Sequence, residues 1–406
     1  MTSWIDTPAV VVDEARLQRN IELMQERATR HQVNLRPHAK THKSVEIANR
    51  VLAAGAVGLT VSKPLEARKF MEAGFKDITL AYPVVVPQKL DLTLECALAY
   101  QVTFNLTVDS VYGAKVAAES AAKLDHVLNV LIHIDVGYHR VGLENDPRLR
   151  ELVQFIQQSP SLKLIGILSH AGHSYGAKSR EECIEIAETE RLIMLRVKAT
   201  IEALGSPISV VSLGSTPTEL CRENYEGITE VRLSKWIVDL PKLRPGNYIF
   251  QDRTPVRTGV STVQNVSLTV VATVVSSNAK HFIIDAGSKV LSADTVRGSG
   301  DFGGACYGLV FREEDFDQVT MEPTTNEWVN PSTGQPSLCF EIKKLSEEHG
   351  WVAHAPNAGP SASPQIGDRV VILVNHSCPT VNLANALFLK GDTLRHIQLI
   401  SRGCCQ

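Results

Sequence analysis

The residues best placed to do chemistry are a lysine, several histidines and a cysteine, each closing an apolar run. The first run ends Arg36-Pro37-His38-Ala39-Lys40-Thr41-His42-Lys43. A lysine at the end of a buried strand loses solvation and meets like charges, and both lower its pKa. A neutral amine is what Schiff-base formation requires. A basic surface loop would read the same way. Two later runs end Asp135-Val136-Gly137-Tyr138-His139-Arg140 and Ser169-His170-Ala171-Gly172-His173-Ser174-Tyr175, so Arg140, His170 and Tyr175 converge on one rim. A single histidine is usually structural, whereas several at successive strand ends point to a site. Gly214-Ser215-Thr216 opens a helix-like stretch, and Arg244-Pro245-Gly246-Asn247-Tyr248 offers a second such turn. Free N–H groups at a helix start favour phosphate, although an ordinary N-cap has the same residues. Asn375-His376-Ser377-Cys378 closes another strand. Alternation would put His376 and Cys378 on one face, and imidazole with thiolate suits Zn²⁺ at an open site. A buried cysteine beside a structural histidine is the plainer alternative.

These residues need elements to hold them. From about residue 33 to 235, apolar runs alternate with amphipathic stretches. The runs are Val33–Lys40, Gly58–Lys63, Asp77–Tyr82, Phe104–Asp109, Val127–Asp135, Leu162–Ala171, Val210–Ser215 and Thr229–Leu233. Eight β-then-α units predict an α/β fold, a TIM (β/α)8 barrel whose site lies where the strands end. A doubly wound open sheet should carry a GxGxxG turn after its first strand, and none is present. Beyond about residue 255 strand-like runs follow one another without a helical period, which predicts a second, antiparallel β-domain. The expected division is 15–255 for the barrel and 1–14 plus 256–406 for the β-domain.

Composition narrows the class. The 406 residues hold 41 basic and 44 acidic groups, a net charge of −3, with 44% hydrophobic and 21% charged residues. Disorder is excluded, and no basic excess marks a nucleic-acid partner. No apolar run reaches membrane-spanning length, and the start lacks a secretory pattern. These features predict a soluble cytoplasmic protein whose 8 cysteines are reduced thiols. The Cys404-Cys405 end reads as a frayed tail.

Taken in order, Thr7-Pro8, the PHxKTHK around Lys40, DVGxxRxG, HAGHSY, GSTPT, RPGNY, EHG at Glu348-His349-Gly350 and the terminal HxC resemble the eukaryotic-type D-serine dehydratases and D-threonine aldolases. These are pyridoxal 5'-phosphate (PLP) enzymes of the alanine-racemase-like fold. The resemblance implies that Lys40 carries PLP and shuttles the α-proton, that Arg140 meets the cofactor's phenolic oxygen, and that Tyr175 lies near the ring or substrate, with His170 beside them. Gly214, Ser215, Thr216, Gly246 and Asn247 would hold the phosphate. His376 and Cys378 would bind a divalent metal, Zn²⁺ first and Mn²⁺ or Mg²⁺ as alternatives. The family implies a homodimer acting on a D-3-hydroxy amino acid, either eliminating water to a keto acid and ammonia or cleaving Cα–Cβ to glycine and an aldehyde. Cys378 favours elimination, because several aldolases have Asp there, while Pro379-Thr380-Val381-Asn382-Leu383 resembles the aldolase side. The stretch 233–243 looks inserted beside the phosphate turn. A pure cofactor-binding barrel would need neither the β-domain nor HxC.

Overall fold

The computed structural model describes residues 5–228, 242–295, 306–321, 328–329, 337–354 and 362–406. Strand Ala9–Asp13 runs directly into helix Glu14–Arg30, and that junction joins the two halves of the molecule. Asp13 caps the helix by accepting from the Arg16 N–H at 2.9 Å. Leu17, Ile21, Met24 and Ala28 fall on its buried face at helical spacing.

Eight parallel strands follow: Asn34–Leu35, Leu59–Val61, Asp77–Leu80, Thr103–Val108, Leu128–Ile134, Leu162–Ser169, Val210–Leu213 and Lys242–Leu243. From the second onward each pairs with the next, and the eighth pairs back onto the first, with Asn34 opposite Lys242. First and second touch through one bridge, His38 to Thr60, which closes the ring. Seven strands occupy the expected runs. Thr229–Leu233 lies outside the described residues, and the eighth strand found is Lys242–Leu243, so the Arg244 turn leaves a strand end directly. The outer helices start where the side chains allow. Ser44 caps Val45–Ala53 through the Ile47 N–H, and Asp146 caps Pro147–Gln157 with proline at its first position.

The antiparallel half is a six-stranded closed sheet with a three-strand extension. His281–Ile284, Gly350–Ala353, Phe340–Leu345, Gly308–Arg312, Arg369–Val374 and Leu268–Ser277 neighbour one another in that order, and the last also pairs with the first. A bulge between Val274 and Ser276 bends Leu268–Ser277. That bend lets one strand serve both ends of the closure. Its outer edge pairs antiparallel with Ala9–Asp13, which pairs parallel with Ala386–Lys390, and Leu394–Gln398 completes the row. Chain ends thus meet in one sheet.

The C-terminus is not frayed. Lys43 and Glu66 form a buried ion pair at 3.1 Å, and the Ser401 carbonyl and hydroxyl join it. The Leu65 N–H donates to the Gln406 carbonyl at 3.2 Å, and Cys404 is buried. A buried charge pair with further hydrogen bonds fixes the segment it touches, and sequence composition gives no sign of it. No described helix is long and apolar enough to cross a membrane.

Candidate active site

The strand ends open onto a cavity of about 450 Å³ lined by Lys40, Arg140, His170, Tyr175, Ser215, Thr216, Gly246, Asn247, His376 and Cys378. Ten of the residues singled out in the sequence are therefore brought together. Barrel strand ends supply eight of them, and the β-domain lays His376 and Cys378 across the mouth.

Lys40 lies two residues past the His38 bridge, in a turn and not at the last position of a strand. Burial lowers its pKa, and Arg140 and Arg244 push the same way against the opposing pull of Cys378 and Glu66. His38 stands beneath it. The Lys40 N–H points to His38 Nδ1 at 3.4 Å, and Nε2 meets Ser62 Oγ at 3.3 Å. Burial, with Lys40 and Arg244 close by, holds His38 neutral. His170 is neutral for the same reason, with Lys40 and Arg140 as its cationic neighbours. Its Nδ1 lies 3.1 Å from the Gly214 carbonyl. A carbonyl only accepts, so Nδ1 carries the proton and Nε2 presents a lone pair. Arg140 stands at the exposed rim, its guanidinium 4.9 Å from the Tyr138 ring centre.

The two proposed phosphate turns adjoin. The Tyr248 N–H donates to Thr216 Oγ1 at 3.1 Å, and the Tyr175 hydroxyl is hydrogen-bonded to Thr216. At Gly246 a Cβ would come within 2.8 Å of Thr41 Oγ1 and 3.0 Å of His38 Cβ, so only glycine lets this backbone approach the cavity floor. Two of the residues expected at the phosphate have other partners. Gly214 does not line the cavity: its N–H goes to Glu190 at 3.4 Å and its carbonyl to His170. The Asn247 side chain is not free for phosphate either. Its amide donates to Asp252 Oδ2 at 2.7 Å, and its oxygen accepts from the Ser377 hydroxyl.

Asp252 is the residue that sequence reasoning missed. It is fully buried and accepts from Asn247, from the Ser377 N–H at 3.0 Å and from Thr254 at 3.0 Å, while its Oδ2 lies 3.1 Å from His376 Nδ1. A carboxylate behind a histidine fixes the ring and leaves Nε2 for a ligand. Nor does alternation along a strand unite His376 and Cys378. The strand ends at Val374, His376 caps helix Ser377–Leu383, and Cys378 sits in its first turn, where it hydrogen-bonds His376. Burial alone would push His376 down, yet Cys378 and Asp252 raise it. Burial would push the thiol up, yet His376 and Lys40 lower it. Each of the two groups favours the charged form of the other, and Thr41 Oγ1 lies 3.2 Å from the sulfur. His349, in the expected EHG, is at a hairpin turn away from the cavity.

The residues present fit both implied groups. The cavity offers a buried amine and a glycine-floored turn, and among the described residues no carboxylate lines it. His133, at its wall, keeps a buried Nδ1 with no hydrogen-bond partner among the described residues. A phosphorylated aldehyde finds its attachment point and its cradle here. Thiolate plus carboxylate-backed imidazole is a donor set for a soft or borderline divalent metal.

Fold and site together define a PLP-dependent enzyme of the alanine-racemase type. Residues 12–233 match the alanine racemase N-terminal domain, and residues 267–389 match a serine dehydratase domain. Over 389 residues the chain is 36% identical to a D-threo-3-hydroxyaspartate dehydratase of Delftia sp., covering 93% of this chain and 92% of that one. A D-threonine aldolase of Arthrobacter is 28% identical, covering 96% and 90%. A D-serine dehydratase of Dictyostelium discoideum is 29% identical, covering 93% and 91%. The solved Delftia dehydratase superposes with a TM-score of 0.83 at 32% identity, covering 97% of both chains. A cysteine-to-alanine variant of a D-threo-3-hydroxyaspartate dehydratase in the metal-free form gives 0.82 at 31% identity, again covering 97% of both. The chain belongs to the D-serine dehydratase and D-threonine aldolase family, PLP-dependent lyases that act on D-3-hydroxy amino acids.

Proposed function

We propose that this lyase eliminates water from a D-3-hydroxy amino acid, giving a keto acid and ammonia with PLP and a divalent metal bound. One observation carries the choice: the Cys378–His376 pair, backed by Asp252, faces the same cavity as Lys40. Hydroxide leaves poorly, and a Lewis acid held by this pair would assist its departure. A similar D-threo-3-hydroxyaspartate dehydratase, with one cysteine replaced by alanine, is known in a metal-free form, which supports a metal in this reading. Thiolate and imidazole favour Zn²⁺.

PLP supplies the electron sink for the α-carbon, and the metal polarises the β-oxygen. The chain's own residues do the rest. Lys40 Nζ, pushed toward its neutral form by burial, holds the cofactor and moves the α-proton. Ser215, Thr216 and the Gly246 backbone would seat the phosphate, and Arg140 would answer the phenolic oxygen. Asp252 fixes the His376 ring, while Tyr175, whose ring centre lies 6.1 Å from that of His376, covers the site. Burial raises its hydroxyl pKa, so it stays protonated. We take the working unit to be a homodimer.

The test is incubation of the purified protein with PLP and Zn²⁺ or Mn²⁺, offered D-serine, D-threonine and D-threo-3-hydroxyaspartate separately. Keto acid and ammonia are expected. Chelation should abolish them, and Lys40→Ala should reduce them roughly 100- to 10,000-fold. Glycine and an aldehyde with no keto acid would make the enzyme an aldolase.

A further inference from the structure

Among the described residues, the cavity is lined by a lysine, Lys63, for which the proposed reaction names no role. Lys63 follows the second barrel strand and lines the cavity beside Tyr82, with its Nζ 3.9 Å from the Tyr82 ring centre. Its neighbours in sequence do not absorb it. It stands at the cap position of helix Pro64–Glu72, and its side chain makes no cap bond. Glu66, the nearest acid along the chain, is turned inward and engaged by Lys43, the Ser62 N–H and the Ser401 hydroxyl. Among the described residues Lys63 forms no ion pair, and no Asp or Glu lines the cavity.

The surplus charge says what must enter. Lys40, Lys63, Arg140 and Arg244 all line this cavity. In the proposed reaction Lys40 is engaged covalently, and the phosphate, the phenolic oxygen and the substrate's α-carboxylate call on Arg140, Arg244 and the backbone N–H groups. Lys63 is left over. Lys63 is half-buried at the cavity wall, where an anion entering the cavity would meet its ammonium. The Tyr82 face steadies it electrostatically and leaves its N–H donors free.

We propose that Lys63, positioned by Tyr82, binds a second carboxylate on the substrate's β-carbon, so that the preferred substrate is a D-3-hydroxy dicarboxylic amino acid. This rests on the lyase assignment above and adds the specificity-determining residue. Elimination and Cα–Cβ cleavage would both use it, because the contact is to a group that does not react. Specificity of this kind is strong, since a substrate lacking the carboxylate leaves the ammonium unanswered.

The experiment compares kcat/KM for D-threo-3-hydroxyaspartate and D-serine in the wild-type holoenzyme, Lys63→Gln and Lys63→Arg. Keto acid and glycine are both assayed, so the ratio can be read whichever bond breaks. The wild type should favour the dicarboxylate. Lys63→Gln should shrink that ratio roughly 10- to 100-fold, mainly through KM, as expected for loss of a charged hydrogen bond, and Lys63→Arg should restore part of it. Calorimetric binding of D-aspartate against D-alanine, which carry no β-hydroxyl, gives a readout independent of turnover, and the same loss of preference is expected there. A ratio unchanged by Lys63→Gln in both measurements overturns the proposal, whether both substrates fall together or neither falls. Absence of any product from the wild type would count against the lyase mechanism alone, with the binding arm still deciding the role of Lys63.

Discussion

The protein treats two of the buried arginines of this barrel in opposite ways. Arg222 is 1% exposed and Arg244 5%. Arg222 lies behind the seventh strand, with Glu190 at 2.6 Å and Glu219 at 2.8 Å, and it also donates to the Ala187 carbonyl at 2.6 Å. Burial opposes its charge, and the two carboxylates outweigh burial, so its pKa rises. Arg244, on the cavity side, has only neutral acceptors: Ser212 Oγ at 2.7 Å, the Ser169 carbonyl and the Ser212 carbonyl. Burial pulls its pKa down to about 10, with Glu190 and Glu219 acting only from a distance. One cation is neutralised by the fold. The other stands at the cavity without a carboxylate partner among the described residues, and the half-buried Lys63 is likewise without one at the rim. The difference teaches where to look for a ligand: at the buried cations a protein leaves unneutralised.

The comparison breaks most visibly at Arg222. Arg222→Met strands two buried carboxylates and should destabilise the apoprotein by about 3–5 kcal/mol, measured by urea unfolding. Arg244→Met, under the same conditions, should shift stability by only about 1 kcal/mol, because lost hydrogen bonds and relief of an unpaired charge oppose each other. Equal losses would show that both are structural.

Metal affinity comes next. Asp252→Asn leaves His376 without its anionic support, so Zn²⁺ affinity should fall about 10- to 100-fold with the fold retained, read by competition with a chromophoric chelator. Arg244→Met should weaken binding of PLP or inorganic phosphate by roughly tenfold, the scale of one charge-assisted contact. Unchanged anion affinity would remove the functional half of the contrast.

The smallest effect lies at the seam between the two domains, where cations are fully answered. Arg395 meets Glu14 at 3.0 Å and Glu46 at 2.6 Å. Hydrogen bonding to Arg395 lowers the Glu46 pKa. Glu14 is lowered too, burial being outweighed by Arg50 and Arg395. Depressed carboxylates stabilise fully above their ordinary value of 4.5 and lose the contribution as pH falls below it. These groups are partly exposed, so Arg395→Met should cost only about 0.2–1 kcal/mol at neutral pH. Its melting temperature should converge on that of the wild type as the medium is acidified below 4.5.

Most of the site was legible because it sits at strand ends. Lys40, Arg140, His170 and Ser215 each close an apolar run, and a barrel turns that local position into a shared rim. Asp252 was not legible, since no motif marks it and its partner His376 is separated by 124 positions. The engagement of the Asn247 side chain was not legible for a related reason. Its type and its turn fit a phosphate, and only Ser377 and Asp252, arriving from elsewhere in the chain, show that the side chain is already engaged.

By itself the sequence determined the alternation that builds the barrel, the β-rich second half, and which residue types lie at the strand ends. Those are local properties, set by apolar period, capping residues and glycine. The tertiary structure alone decided which charges meet. It turned Glu66 and Glu219 inward to Lys43 and Arg222, placed no carboxylate of the described residues in the cavity lining, and set Cys378 against His376 at a helix start. Electrostatic function depends on distance in space and on burial, and neither is written in the order of residues along the chain.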